Sequence, residues 1–140
     1  MTKTFSKVFS ILTILALMLM ALPMQSAQAL GGGSGSISLT TLGSASTQNF
    51  DTLANTGTTN NLTINGWFLN ETGSSGSNNG QYAAGTGSGT AGDVYSFGAT
   101  PTITERAFGT LFSGTLTPTI GAQFTNNTGS TITSLDVSYI

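Results

Sequence analysis

Beyond residue 29 the chain carries five carboxylates and a single arginine, and it has no histidine or cysteine anywhere. That inventory decides most of the available chemistry. Ser and Thr are abundant, but a hydroxyl nucleophile needs a His or Lys base beside it, and both lysines, Lys3 and Lys7, lie at the start of the chain. A carboxylate pair is the one familiar catalytic arrangement left. Glu71, Asp93 and Glu105 could supply the acid and the nucleophile of glycoside hydrolysis. Their spacing gives no sign of convergence, and each has a simpler role: Glu71 follows a strand-like run beside a Gly/Ser loop, Asp93 follows Gly92 at a turn, and Glu105 adjoins Arg106. The expectation is a chain with no catalytic residues of its own.

The same inventory limits cofactors. Zinc is disfavoured because its usual nitrogen and sulfur ligands are missing, which leaves no cofactor except oxygen-seeking Ca²⁺, with Asp51, Asp93 and Asp136 as its candidate ligands. No dense Asp/Asn-Gly loop of EF-hand type accompanies them, and each could equally cap a turn or face solvent. Sugar binding would use exposed rings as platforms, and Trp67, Tyr82 and Tyr95 are the rings to consider. Large aromatics in a small β domain serve the core more often than a platform. Arg106 is expected to pair with an acidic neighbour across strands.

Charge excludes one class of partner. With one positive side chain against five negative ones after residue 29, binding of nucleic acid through this segment is not expected, because phosphate affinity comes from Lys and Arg displacing counterions. A polybasic attachment to anionic lipid fails on the same count.

The elements that would position these residues begin after an export signal. Lys3 and Lys7 form a basic start, Val8 to Leu22 is an apolar run broken only by Ser10 and Thr13, and Pro23 precedes a small-x-small site at Ala27-Gln28-Ala29. Residues 1–29 therefore read as a bacterial signal peptide of Sec type, removed to give a secreted or cell-surface protein. The apolar run is shorter than the roughly 20 residues of a bilayer span, so no stable membrane span is expected after cleavage. Residues 30–36 read as a Gly/Ser-rich leader too flexible for regular structure, and residues 37–140 as one domain. Lacking Cys, that domain must draw stability from a packed core, a bound ion or a partner.

From residue 37 short apolar clusters alternate with turn-forming residues, the rhythm of an antiparallel all-β domain. Strands are predicted near Ile37–Leu39, Gln48–Leu53, Leu62–Asn70, Gln81–Ala84, Val94–Phe97, Arg106–Leu111, Thr119–Asn126 and Ile132–Ile140. The clearest alternation is the last, with Leu135, Val137 and Tyr139 on one face. Leu62, Ile64 and Phe68 are predicted to share another. Residues 126–130 resemble a hairpin loop, and no helix signature follows the signal. The low-complexity loops 72–80 and 85–92 read as exposed tethers ahead of binding loops.

An ordered succession of motifs adds a family resemblance. Asn49-Phe50-Asp51-Thr52-Leu53, Gly66-Trp67, Tyr82-Ala83-Ala84-Gly85-Thr86-Gly87, Gly92-Asp93-Val94-Tyr95-Ser96-Phe97-Gly98, Glu105-Arg106-Ala107-Phe108-Gly109 and the run Ile120 to Gly129 are its carriers. The chain resembles, from about Phe50 to Ile140, the N-terminal β-sandwich module of exported bacterial proteins, among them extracellular nucleases of the endonuclease/exonuclease/phosphatase type and surface proteins with a PEP-CTERM tail. The resemblance implies a jelly-roll-like sandwich that continues beyond the strand ending at Ile140, so the chain reads as incomplete at its C-terminus, with a catalytic domain absent.

Three functions follow as expectations. The first is a non-catalytic module for surface attachment, adhesion or accessory binding within a larger secreted protein. The second is a carbohydrate-binding module, and the third an N-terminal fragment of a secreted nuclease or other hydrolase. The corresponding partners are cell-surface or extracellular glycans and other domains of a longer protein. An unpaired edge at residues 134–140 would also favour self-association.

Overall fold

Residues 30–99 and 103–139, the part described by the computed structural model, form strands and connecting turns without a helix. The signal peptide expected over residues 1–29 lies outside the described residues. The strands are β1 (Leu30–Gly33), β2 (Ile37–Leu39), β3 (Trp67–Gly73), β4 (Ala83–Gly85), β5 (Asp93–Phe97), β6 (Ala107–Leu111), β7 (Leu116–Ala122) and β8 (Phe124–Asn126). They make one sheet in the order β1-β3-β7, a second in the order β4-β5-β6, and a two-stranded ladder of β2 and β8. The all-β expectation holds. The pairing is not antiparallel throughout, however, because β2 with β8 and β4 with β5 run parallel.

Gly66 decides which face of β3 meets the core. Alternation from Leu62 and Ile64 predicts Phe68 on their side, but Gly66 adopts a φ of 80° and interrupts the period of two. A Cβ at Gly66 would lie 2.6 Å from the backbone nitrogen of Ile37, so only glycine fits this turn. The parity shifts by one residue. Trp67 and Leu69 therefore join Leu62 and Ile64 in the core, and Phe68 faces the other way. Glu71, next in the inward row, is only 1% exposed.

The core gathers residues from both three-stranded sheets and from the turns between them. Leu69 from β3 packs with Val94 from β5 and Phe108 from β6, and Leu53, Leu62 and Tyr82 complete the buried cluster. Phe50 meets Trp67 edge-on with ring centroids 4.6 Å apart, and Trp67 and Tyr82 each stand edge-on to Phe108. Within β5, Val94 and Ser96 are fully buried while Asp93, Tyr95 and Phe97 alternate with them.

Three predicted elements differ. The expected leader is partly a strand, because β1 pairs antiparallel with β3 over its whole length. Its glycines are what allow this: a Cβ on Gly32 would come within 2.5 Å of the Gly80 carbonyl oxygen, so the absence of side chains lets the strand slide beneath the loop. The predicted strand at Gln48–Leu53 is a turn. Asn49 Oδ1 accepts from the Asp51 amide at 3.2 Å, Phe50 takes a φ of 61°, and the Leu53 amide donates to the Phe50 carbonyl at 2.9 Å. Finally, residues 132–139 form no strand despite their alternation. Leu135, Val137 and Tyr139 are 57%, 78% and 93% exposed, and no neighbouring edge among the described residues receives the backbone. The preceding turn is real but joins no hairpin: Asn126 Oδ1 accepts from the Thr128 amide at 3.1 Å and its amide donates to the Ser130 carbonyl at 2.8 Å.

Candidate functional site

The inward parity of β3 puts a carboxylate where an apolar side chain would be expected, and the loop that follows is shaped around it. Glu71 Oε2 accepts from the backbone amides of Asn79 at 3.0 Å and Gly80 at 2.9 Å. Two hydrogen bonds from consecutive backbone amides to one carboxyl oxygen fix the loop. The other end of the loop is clipped to the β7 side, where the Ser74 and Ser75 amides donate to the Thr115 carbonyl. Asn78 donates its side-chain amide to the Gly73 carbonyl at 2.9 Å.

Glu71 does not stand alone. Asp93, which opens β5 and is 7% exposed, lies against the Glu71 carboxyl. Burial, followed by the hydrogen bond and charge of Glu71, pushes the Asp93 carboxyl up to about 6, against the bond its Oδ1 accepts from the Val94 amide at 2.8 Å. Glu71 Oε1 is buried and has no donor among the described side chains and amides. Two carboxylates facing one another are both acceptors, so a contact of this sort requires a proton between them.

Asp93 also belongs to the wall of an open cleft of about 660 Å³. Thr58, Thr59, Ser77 and Asn79 bring hydroxyls and an amide to the cleft, and Tyr95 brings its ring. Burial and the nearby Asp93 carboxylate raise the Tyr95 phenol, whose hydroxyl donates to the Ala91 carbonyl at 3.0 Å. The ring lies over Gly85, where a Cβ would sit 3.0 Å from the ring carbon Cδ1, and it stacks on Phe97 at a centroid distance of 5.0 Å. Glycine in β4 is thus what lets an aromatic side chain cover the strand. Loops 72–80 and 85–92, expected as tethers, both contribute to the cleft lining.

The residues singled out from sequence are distributed unevenly. Asp93 and Tyr95 meet at the cleft, whereas Trp67 and Tyr82 belong to the core; the Tyr82 hydroxyl accepts from the Ala54 amide at 2.9 Å. The three aspartates named for Ca²⁺ do not converge, and no group of three acidic side chains able to hold a metal occurs among the described residues. Asp51 Oδ1 accepts from the Arg106 amide at 3.2 Å, and Asp136 lies in the exposed segment after β8. Arg106, only 4% exposed, donates from Nε to Ser96 Oγ at 2.8 Å and from a terminal nitrogen to the carbonyls of Ser96 and Gly85. Its guanidinium ties β4 to β5.

Glu71 is the residue whose partnership the spacing did not reveal. The signal that could have found it is parity: with a strand beginning at Trp67, residue 71 falls in the same inward row as Leu69. Compared with models of protein families, with curated proteins and with solved structures, the chain matches none.

Proposed function

We propose that the chain carries a non-catalytic binding module of an exported bacterial protein, and that its cleft takes an uncharged polyhydroxy ligand, a segment of glycan, so attaching a larger secreted protein to a surface or substrate. The β-sandwich of jelly-roll-like kind that the motif succession suggests is the corresponding reading of the two packed sheets. One observation carries the proposal: a cleft of about 660 Å³ walled by Thr58, Thr59, Ser77 and Asn79 with one half-buried ring, Tyr95, and a single acidic group, Asp93. Hydroxyls and amides of this kind exchange hydrogen bonds with sugar hydroxyls, and a tyrosine face stacks on the apolar face of a pyranose.

Catalysis is not part of the reading. Glu71 is sealed by the loop and absent from the cleft lining, so the contacting pair presents only one carboxyl to a ligand. Glycoside hydrolysis uses two carboxyls facing the same sugar about 5 Å or more apart.

Titration of ¹⁵N-labelled protein with soluble oligosaccharides of cellulose, xylan, chitin and mannan tests the proposal. Shifts confined to amides around residues 58–59, 77–79 and 83–95 are expected, with affinity weakened at least about tenfold by Tyr95→Ala, by analogy with the roughly 1–3 kcal/mol that a nucleic-acid base loses when its aromatic platform is removed. Saturating additions that leave those amides unmoved, or a Tyr95→Ala variant binding as tightly as the parent, would refute it.

A further inference from the structure

We infer that Glu71 and Asp93 share one proton in the folded protein, and that this proton holds loop 77–80 closed along the cleft. The inference concerns the loop itself and holds whatever the cleft binds. Four observations lead to it. Both carboxyls are more than nine-tenths buried and meet each other. Glu71 Oε1 is a buried acceptor without a donor among the described residues, which a proton on Asp93 supplies. The other oxygen of Glu71 is the anchor of the Asn79 and Gly80 amides. Glu71 therefore grips the end of the loop at residues 79 and 80, and whatever displaces its carboxyl loosens that grip.

The surroundings of Asp93 contain little else that titrates. From β3 it faces Glu71, and on its own strand it neighbours Tyr95. The other strands packed against β5, namely β4, β6 and β7, contain no ionisable side chain. Arg106, immediately before β6, directs donors to Ser96 and Gly85. Loss of the proton thus leaves two negative charges in contact in a largely buried site at the edge of the cleft, where repulsion is less screened than on the open surface. The least costly relief is outward movement of residues 77–80, because β3 and β5 are held by ladders on both sides. Ser77 and Asn79 line the cleft, so the movement reshapes its wall. The device is a cleft that is ordered in mildly acidic surroundings and loosened in alkaline ones.

Amide hydrogen exchange of the ¹⁵N-labelled protein in EDTA-containing buffer tests this. After correction for the intrinsic dependence of exchange on hydroxide, the Asn79 and Gly80 amides are expected to exchange at least about tenfold faster at pH 8 than at pH 5, while amides in β5 and β7 stay protected throughout. Asp93→Asn, whose side-chain amide donates to Glu71 at any pH, is expected to hold the loop protected at both. Should that variant fail to fold, Glu71→Gln serves equally, since its amide donates to Asp93 while its oxygen still accepts from residues 79 and 80. Equal protection at both pH values in the parent overturns the inference, as does a variant that keeps the parent's dependence. Recovery of protection at pH 8 on adding Ca²⁺ alone would also overturn it, by assigning the pair to a metal ion instead of a proton.

Discussion

Strand β5 and the segment after β8 have the same period-two pattern and opposite fates. In β5, Val94 is fully buried between neighbours on both sides, whereas Val137, in the more regular alternation of residues 132–139, is 78% exposed. The apolar content of the two valines is identical. What separates them is access to backbone partners, since β5 has a ladder on each edge and residues 132–139 have none among the described residues. An alternating run is thus a necessary description of a half-buried strand but becomes one only where an edge is free to receive it.

Identical substitutions in the two regions test this difference most sharply. Val94→Asp places an unpaired charge in the core and is expected to abolish the cooperative unfolding transition seen by circular dichroism, whereas Val137→Asp leaves it intact. The milder Val94→Ala is expected to cost about 2–3 kcal/mol in urea denaturation, against less than about 0.5 kcal/mol for Val137→Ala. Equal effects in either pair would mean that the segment after β8 is docked in solution.

Two glycines extend the comparison to turns. Gly66 and Gly129 both have positive φ, but a Cβ at Gly66 would strike Ile37 while one at Gly129 would enter open space. Gly66→Ala is expected to destabilise by about 2–3 kcal/mol, combining backbone strain and collision, and Gly129→Ala by about 1 kcal/mol or less. Chemical denaturation of the two variants side by side measures the difference.

A smaller effect distinguishes the regions by pH. Asp93 has its folded-state pKa raised to about 6, so the folded chain binds that proton more tightly than the unfolded one. The stability it contributes is complete below the ordinary aspartate value near 4 and is lost as pH rises through about 6. Scanning calorimetry is expected to show Tm falling over this window, and Asp93→Asn to remove that portion of the fall. The smallest expected change is a null one: replacing Val137 and Tyr139 together by Ser shifts Tm by no more than about a degree, as befits exposed positions. Sedimentation of the same variant checks whether those side chains support self-association.

Legibility in the sequence followed the kind of residue involved. Strands predicted at Val94–Phe97, Arg106–Leu111 and Thr119–Asn126 lie close to β5, β6 and the β7–β8 region, because β-branched and aromatic residues there alternate between turns. β1 was illegible because glycines carry no pattern, and their role depends on a carbonyl at Gly80, far along the chain. The face of β3 was misassigned since one backbone angle, at Gly66, resets a period that side-chain types alone appear to continue. At the site, Asp93 and Tyr95 were legible as chemistry, whereas the Glu71–Asp93 contact depends on two sheets meeting. Apart from Asp93 and Tyr95 the cleft walls are Ser, Thr, Gly, Ala and Asn, largely the residues that make linkers, so composition does not tell a cleft wall from a tether.

The parallel ladder of β2 and β8 has a mechanical consequence. Its strands run in the same direction and are bracketed by the Ile37 amide on the Gln123 carbonyl and the Asn127 amide on the Leu39 carbonyl, both at 2.8 Å. Side chains add Thr125 to Ser36 and Asn127 to Ser38, each at 2.7 Å. Tension drawn backward from residue 36 and forward from residue 127 slides the two strands past one another along their axes. Every bond then bears load together, as in a lap joint, whereas an antiparallel pair pulled from its open end would peel one bond at a time.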